Sequence, residues 1–286
     1  WDEEGADSGW SEPAWWETAL LSVADWKASW IEPEQEAAPP RYSPGHLLRK
    51  EFATNKKIAS ARAYATAHGL YELYLNGRKV GDQALTPGWT VYYKRLQYQT
   101  YDVTGYLQEG RNIAGAMLGE GWYRSGLGWE KNWAFYGKKL AFLCQIHIRY
   151  TDGTEEWVLS DGSWKTSNQG PVQANEIYYG EDYDARREIP GWSTVAFDDQ
   201  NWRNVTKANY SKSNLVAAGS VPVRLIGEIK PVRIFKTADG TLVADMGQNM
   251  VGWIKLKVKG KKGKTVTLRH AEVLDKNGNF YTANLR

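Results

Sequence analysis

Glu181, Asp182 and Asp184 are the carboxylates whose spacing first suggests chemistry. Cutting an acetal between two sugars takes a proton donor and a second carboxylate placed across the bond. On an extended strand, however, Glu181 faces one side while Asp182 and Asp184 face the other. Neighbours on one strand cannot flank a bond from both sides, so no catalytic residue is assigned. Binding chemistry is better supplied. Trp89, Tyr92, Trp122, Tyr123, Trp129 and Trp133 lie in loops, with Gly121, Gly126 and Gly128 letting a ligand approach the backbone. Flat rings beside fixed polar groups suit a sugar, whose C–H face packs on an aromatic ring while its hydroxyls need donors and acceptors. Lys94 and Arg95 next to Trp89, and Glu181 and Asp184 further on, are the polar candidates. An equal alternative is that these loops pack against another domain.

Metal chemistry is weakly represented. His46, His68, His147 and His270 are scattered, without the short spacings of a zinc site. Asp275-Lys-Asn-Gly-Asn279 lacks the terminal acid of a calcium loop and reads as a hairpin turn. Cys144, the single cysteine, sits in the alternating run Leu140, Phe142, Cys144, Ile146, Ile148, and is read as a buried inert thiol.

The elements that must hold these residues are strands. Tyr71, Leu73 and Leu75 alternate with polar positions up to Asn76-Gly77, which supplies two residues tolerant of positive φ for a tight hairpin. Asp152-Gly153, Asp161-Gly162, Asp239-Gly240 and Asn277-Gly278 are further reversals. Strands are expected over 57–67, 97–103, 112–118, 139–150, 155–159 and 164–167, and then over 233–235, 241–245, 252–258 and 265–271. Residues 24–31 read as a strand entering the domain, 198–203 as a short helical turn and 211–220 as a linker. No helical period is sustained, so the fold class is all-β, with turn signals spaced as in a sandwich.

The 286 residues allow two domains. A net charge of +3 with interleaved signs gives no footprint for nucleic acid. The basic run from Lys255 to Lys264 is read as a solvated hairpin end, with a nucleic-acid-binding or anionic-polysaccharide-binding role as the alternative. No apolar run is long enough to cross a bilayer. The 15 Trp and 17 Tyr exceed what a core usually asks for, so a minority of rings is free to line a site.

The stretch Gly69-Leu-Tyr-Glu-Leu-Tyr-Leu-Asn-Gly77 through Pro87-Gly-Trp-Thr90 resembles the N-terminal non-catalytic region of bacterial α-L-rhamnosidases, glycoside hydrolases that release terminal rhamnose. The likeness continues through Gly119-Glu-Gly-Trp-Tyr-Arg124, Tyr179-Gly-Glu-Asp-Tyr-Asp-Ala-Arg186, Asp245-Met-Gly-Gln-Asn-Met-Val-Gly-Trp253, Arg269-His-Ala-Glu-Val-Leu274 and Asn284-Leu-Arg286, nearly the whole chain. It implies a jelly-roll-like antiparallel β-sandwich, residues 24–212, followed by part of a second sandwich, residues 213–286. Residues 1–23 resemble the end of a fibronectin-type-III-like module, so the N-terminus is expected to be that of a fragment. The resemblance also implies that further strands and a catalytic helical barrel follow, that the parent reaction is inverting hydrolysis, and that this region is inactive alone. The second sandwich is then left with an open edge.

The implied partners are a rhamnose-containing glycan and the barrel, with no nucleic acid and no membrane span. No cofactor is expected. Similar domains can hold the sugar through calcium, using acidic or amide groups in the loop after Gly-Trp-Thr-x-Tyr, but Tyr93 and Lys94 stand there in this chain and a lysine repels the ion. A free-standing carbohydrate-binding module and a structural or adhesion domain remain as alternatives. Extracellular, periplasmic and cytoplasmic locations are all compatible.

Overall fold

The computed structural model describes residues 3–285 except 8, 15, 36–42 and 128–131. The chain divides into two units, 1–223 and 224–286. In the first, strands run in the order β1 (Trp30–Glu32), β2 (His46–Thr54), β3 (Ile58–His68), β4 (Leu70–Leu75), β5 (Arg78–Lys79), β6 (Leu96–Asp102) and β7 (Gly110–Gly119). A one-turn helix, α1 (Gly121–Arg124), comes next, then β8 (Gly126–Leu127), β9 (Asn132–Trp133), β10 (Ala141–Tyr150), β11 (Glu155–Leu159) and β12 (Lys165–Ser167). The last are β13 (Val172–Glu176), β14 (Gly180–Tyr183), β15 (Arg203–Asn204), β16 (Thr206–Ala208) and β17 (Leu215–Ala217).

Two sheets form a β-sandwich. One has the order β16-β1-β10-β3-β6-β17, with β11 paired to β10, and the other β15-β12-β2-β7-β4-β5. Their inner faces meet in a core of Leu48, Leu73, Leu75, Ala114, Ala116, Phe142, Cys144, Ile146 and Trp164. β10 is buried on both faces: Phe142, Cys144, Ile146 and Ile148 point inward, while Ala141 and Leu143 join a second cluster with Trp26, Trp30, Tyr92, Tyr98 and Tyr123. β3 complements it, with Ala61, Ala63, Ala65 and Ala67 in the inner core, small residues that let the sheets approach. Burial pushes the Cys144 thiol up to about 12, so it is no nucleophile.

Asn76 and Gly77 adopt φ of 50° and 81°, the two left-handed residues of a tight reversal. Tyr71 fixes the sheet from within, its hydroxyl meeting the Ala65 carbonyl at 3.0 Å, Gln99 at 2.8 Å and the Tyr101 hydroxyl at 3.1 Å. The segment after β14 wraps the outside of the second sheet. Buried Arg49 donates to Asp199 and to the Thr194 carbonyl at 3.0 Å, while Lys165 meets Asp199 at 2.7 Å.

Several expectations shift. The stretch 211–220 is no simple linker, because Leu215–Ala217 pairs in parallel with Leu96–Tyr98. Residues 198–203 do supply a short turn, closed by Trp202 N–H to the Asp199 carbonyl at 2.9 Å, and Arg203 opens β15. The segment 24–31 begins as a 3₁₀ turn, Val23–Asp25, capped by Ser22, and within it only Trp30 and Ile31 belong to a strand. Described residues of 3–21 carry no strand, and Trp10 and Trp16 are exposed.

The second unit contains the hairpin β18 (Arg233–Lys236) and β19 (Leu242–Asp245), turned by Asp239-Gly240, and a bridge from Leu274 to Phe280. The strands expected over 252–258 and 265–271 do not form. Ile254, Leu256, Val258, Val266 and Leu268 are exposed there, and an extended segment becomes a strand only when a ladder partner takes its backbone bonds. Asp275 closes its turn as a hairpin should, its carboxylate accepting from Asn277 N–H and Asn279 N–H, each at 2.8 Å.

Candidate functional site: an aromatic platform on two glycine-rich loops

The loop between β5 and β6 and the loop from α1 to β10 meet at the same end of the first unit. Trp89, about half exposed, lies parallel to Trp122, with ring centres 5.8 Å apart and planes 7° off. The Trp89 indole N–H donates to the Tyr136 hydroxyl at 3.3 Å. Tyr93 and Phe135 are also exposed and flank Tyr136 at 6.2 Å and 4.9 Å. Together these rings make a surface of mixed apolar faces and phenolic edges.

Beneath it the aromatic contacts continue inward. Tyr136 rests on Tyr92 at 4.9 Å, Tyr92 on Tyr123 at 5.3 Å, and Tyr123 is stacked on His68 at 4.6 Å, which is stacked in turn on Trp30 at 4.4 Å. Tyr92 and Tyr123 are therefore buried: they form the floor and offer no open ring face, a correction to their place among the sugar-facing candidates. Ring type alone does not reveal this, because the difference lies in what packs over each ring. His68 is held neutral by burial, its imidazole driven down to about 4, and His46 is likewise driven down to about 4 by burial and then by the Arg124 charge.

Trp122 stands on a rigid base. Gly121 adopts φ of +53°, and a Cβ there would come within 2.4 Å of Leu70, so only glycine lets the chain turn at that point. Glu120 and Arg124 are almost wholly buried and paired at 3.0 Å across the helical turn that carries Trp122. Arg124 also donates to Gln35 at 2.9 Å. Burial raises Glu120 to about 7, against the opposing pull of Arg124. Asn175 on β13 accepts from Glu120 N–H at 2.6 Å, and Glu176 accepts from Gly126 N–H at 3.1 Å and from Tyr178 and Tyr179 N–H at 2.7 and 2.6 Å.

Arg95 is exposed at the end of the first loop, and Trp133 is half-buried, packed over Gly126. Trp129 lies outside the described residues. Glu181 and Asp184 sit elsewhere, lining a shallow open cleft of about 340 Å³ with Gln173, Asp182, Tyr183 and Arg186. No aromatic candidate of the platform lines it. All four residues of β14 are exposed, so Glu181 and Asp182 both reach the cleft despite their alternation. Asp184 is engaged by Arg186 at 2.7 and 2.8 Å, which holds its carboxyl down at about 2, while burial raises Glu181. Among the described residues no three His, Cys, Asp or Glu side chains are grouped to hold a metal.

Tyr93 was legible in its loop, but Phe135 and Tyr136 were not anticipated. The signal for them was the run of rings in Trp133-Ala-Phe-Tyr-Gly137; Ala134 adopts φ of 53° there, and beyond it Phe135 is exposed while Tyr136 is half-buried.

Residues 56–227 match the α-L-rhamnosidase N-terminal domain. This chain belongs to that family. Residues 235–286 of this rhamnosidase region match the bacterial α-L-rhamnosidase concanavalin-like domain. An α-L-rhamnosidase of Streptomyces avermitilis is 44% identical over 291 residues, covering 100% of this chain and 28% of the relative. One from Alteromonas sp. is 40% identical over 298 residues, covering 100% of this chain and 32% of its own. The native Aspergillus terreus α-L-rhamnosidase superposes with a TM-score of 0.83 at 37% identity, over 93% of this chain and 31% of that one. The Streptomyces avermitilis enzyme, solved with L-rhamnose, gives 0.78 at 44% identity, over 87% and 24%. The chain thus corresponds to the N-terminal region of these enzymes and spans a third of their length or less.

Proposed function

We propose that this rhamnosidase region is non-catalytic, supports a catalytic helical barrel belonging to the part of the relatives it does not cover, and binds rhamnose-containing glycans on the Trp89–Trp122 platform. The observation that carries the proposal is the exposed Trp89 face, fixed by its parallel stack on Trp122 and bordered by the Tyr136 hydroxyl. An indole face takes up the C–H side of a deoxysugar, and the nearby phenol and Arg95 meet its hydroxyls. The relative solved with L-rhamnose supports this substrate class.

Calorimetric titration with L-rhamnose and with a rhamnose-containing oligosaccharide, each with calcium and with chelator, tests the proposal. Saturable heat that Trp89→Ala abolishes is expected, with no change on chelation because Lys94 disfavours a cation. Absence of heat at tens of millimolar sugar would mean binding weaker than about −3 kcal/mol and would reassign the rings to packing.

A further inference from the structure

Between Asp245 and Glu272 the chain carries no acidic residue but seven cations, Lys255, Lys257, Lys259, Lys261, Lys262, Lys264 and Arg269. With 36 basic and 33 acidic residues overall, the rest of the chain is then net negative, so the charge asymmetry is local and strong. All seven are exposed. Lys255 pairs with Glu228 at 2.8 Å, and among the described residues the other six have no ion pair. Lys264 N–H meets the Lys261 carbonyl at 3.2 Å with Gly263 at φ of +83°, a tight turn that spreads Lys261, Lys262 and Lys264 around its tip. Along the approach to that tip, lysines at every second position alternate with Ile254, Leu256 and Val258, and all six side chains are exposed, so the cations recur along the whole approach.

We propose that this acid-free basic segment is a second binding surface, for an anionic polysaccharide bearing carboxylates or sulfates. The charges are strung out along the chain rather than converging on a point, which fits a polymer better than a small anion. Six of the seven are lysines. Lysine acts as a point charge toward carboxylate, sulfate and phosphate alike, so the lysines set the sign of the partner and not its class. The choice of a glycan rests on the reading of this chain as part of a glycan-acting enzyme. The surface would tether the enzyme to charged polymers, whereas the Trp89 platform engages the neutral sugar.

The test is affinity electrophoresis of the whole 286-residue chain in gels containing polygalacturonate, dextran sulfate or neutral dextran, with double-stranded DNA and phosphatidylserine vesicles run in parallel. The expected result is retardation by both acidic polysaccharides and not by dextran, falling steeply as salt rises from about 50 mM to about 500 mM. A variant with Lys259, Lys261, Lys262 and Lys264 all changed to Gln should bind at least about tenfold more weakly, each lysine near an anionic surface contributing a several-fold factor. Changing the same four to Arg should preserve binding. Equal binding by the wild type and the Gln variant, no retardation at low salt, or preference for DNA or vesicles would each overturn the assignment. None of these results depends on rhamnose. Loss of this surface therefore leaves the platform untouched, and failure of the platform in calorimetry leaves this result standing.

Discussion

His68 lies beneath the platform, stacked between Trp30 and Tyr123, and is 7% exposed. Burial takes its imidazole from 6.5 to about 4 in the folded protein. Since the folded pKa is depressed, the unfolded chain binds the proton first as pH falls. The stability His68 allows at neutral pH is therefore fully present above pH 6.5 and is lost as pH falls through 4. At pH 5 the gap amounts to one and a half units, or about 2 kcal/mol. That is a sizeable part of the 5–15 kcal/mol typical of a domain. His46, also lowered to about 4, acts in the same direction. Glu120 acts in the opposite one, because a folded carboxyl raised to about 7 favours the folded state as pH drops below 7. His68→Phe isolates the single term: it keeps a stacking ring and removes the titration. Urea unfolding followed by tryptophan fluorescence should show the wild type losing about 2 kcal/mol more than the variant between pH 7.5 and pH 5. Parallel pH profiles for the two proteins would refute the reasoning and mean that the imidazole finds a proton acceptor on protonation.

Gly121→Ala combines a left-handed backbone with a 2.4 Å approach to Leu70 and should cost roughly 2–4 kcal/mol by thermal melting, while Gly105→Ala, with nothing within 4 Å, should stay near neutral. Tyr71→Phe leaves the Gln99 and Tyr101 polar groups short of a partner and should destabilise by about 1–3 kcal/mol, read in denaturant titration. Arg49→Met strips the buried cation from Asp199 and from the Thr194 carbonyl, costs about 3 kcal/mol, and should add protease cuts within the 189–202 segment that the parent chain lacks.

What was readable in the sequence was whatever depends on neighbours along the chain. The alternation Leu140 to Ile148 gives β10 and its inward face, Asn76-Gly77 gives the tight turn, and Glu155–Leu159 has the bounds expected of it. What depends on distant partners was not readable. A three-residue parallel contact at Leu215–Ala217 leaves no period to detect, and the apolar alternation over 252–258 predicts a strand without saying whether a neighbour is there to pair with it. The site divides the same way. Glycines marked the loops that carry Trp89 and Trp122, yet the inward turn of Tyr92 and Tyr123 and the outward turn of Phe135 follow from packing across loops some forty residues apart.

The most direct test of the glycan-binding proposal is a residue-resolved one: titrate 15N-labelled protein with L-rhamnose and follow the indole N–H resonances of its 15 tryptophans. The proposal predicts saturable shifts of Trp89 and Trp122, with Trp30 and Trp164, both 1% exposed, unmoved. Shifts confined to other tryptophans, or none at tens of millimolar sugar, would contradict it.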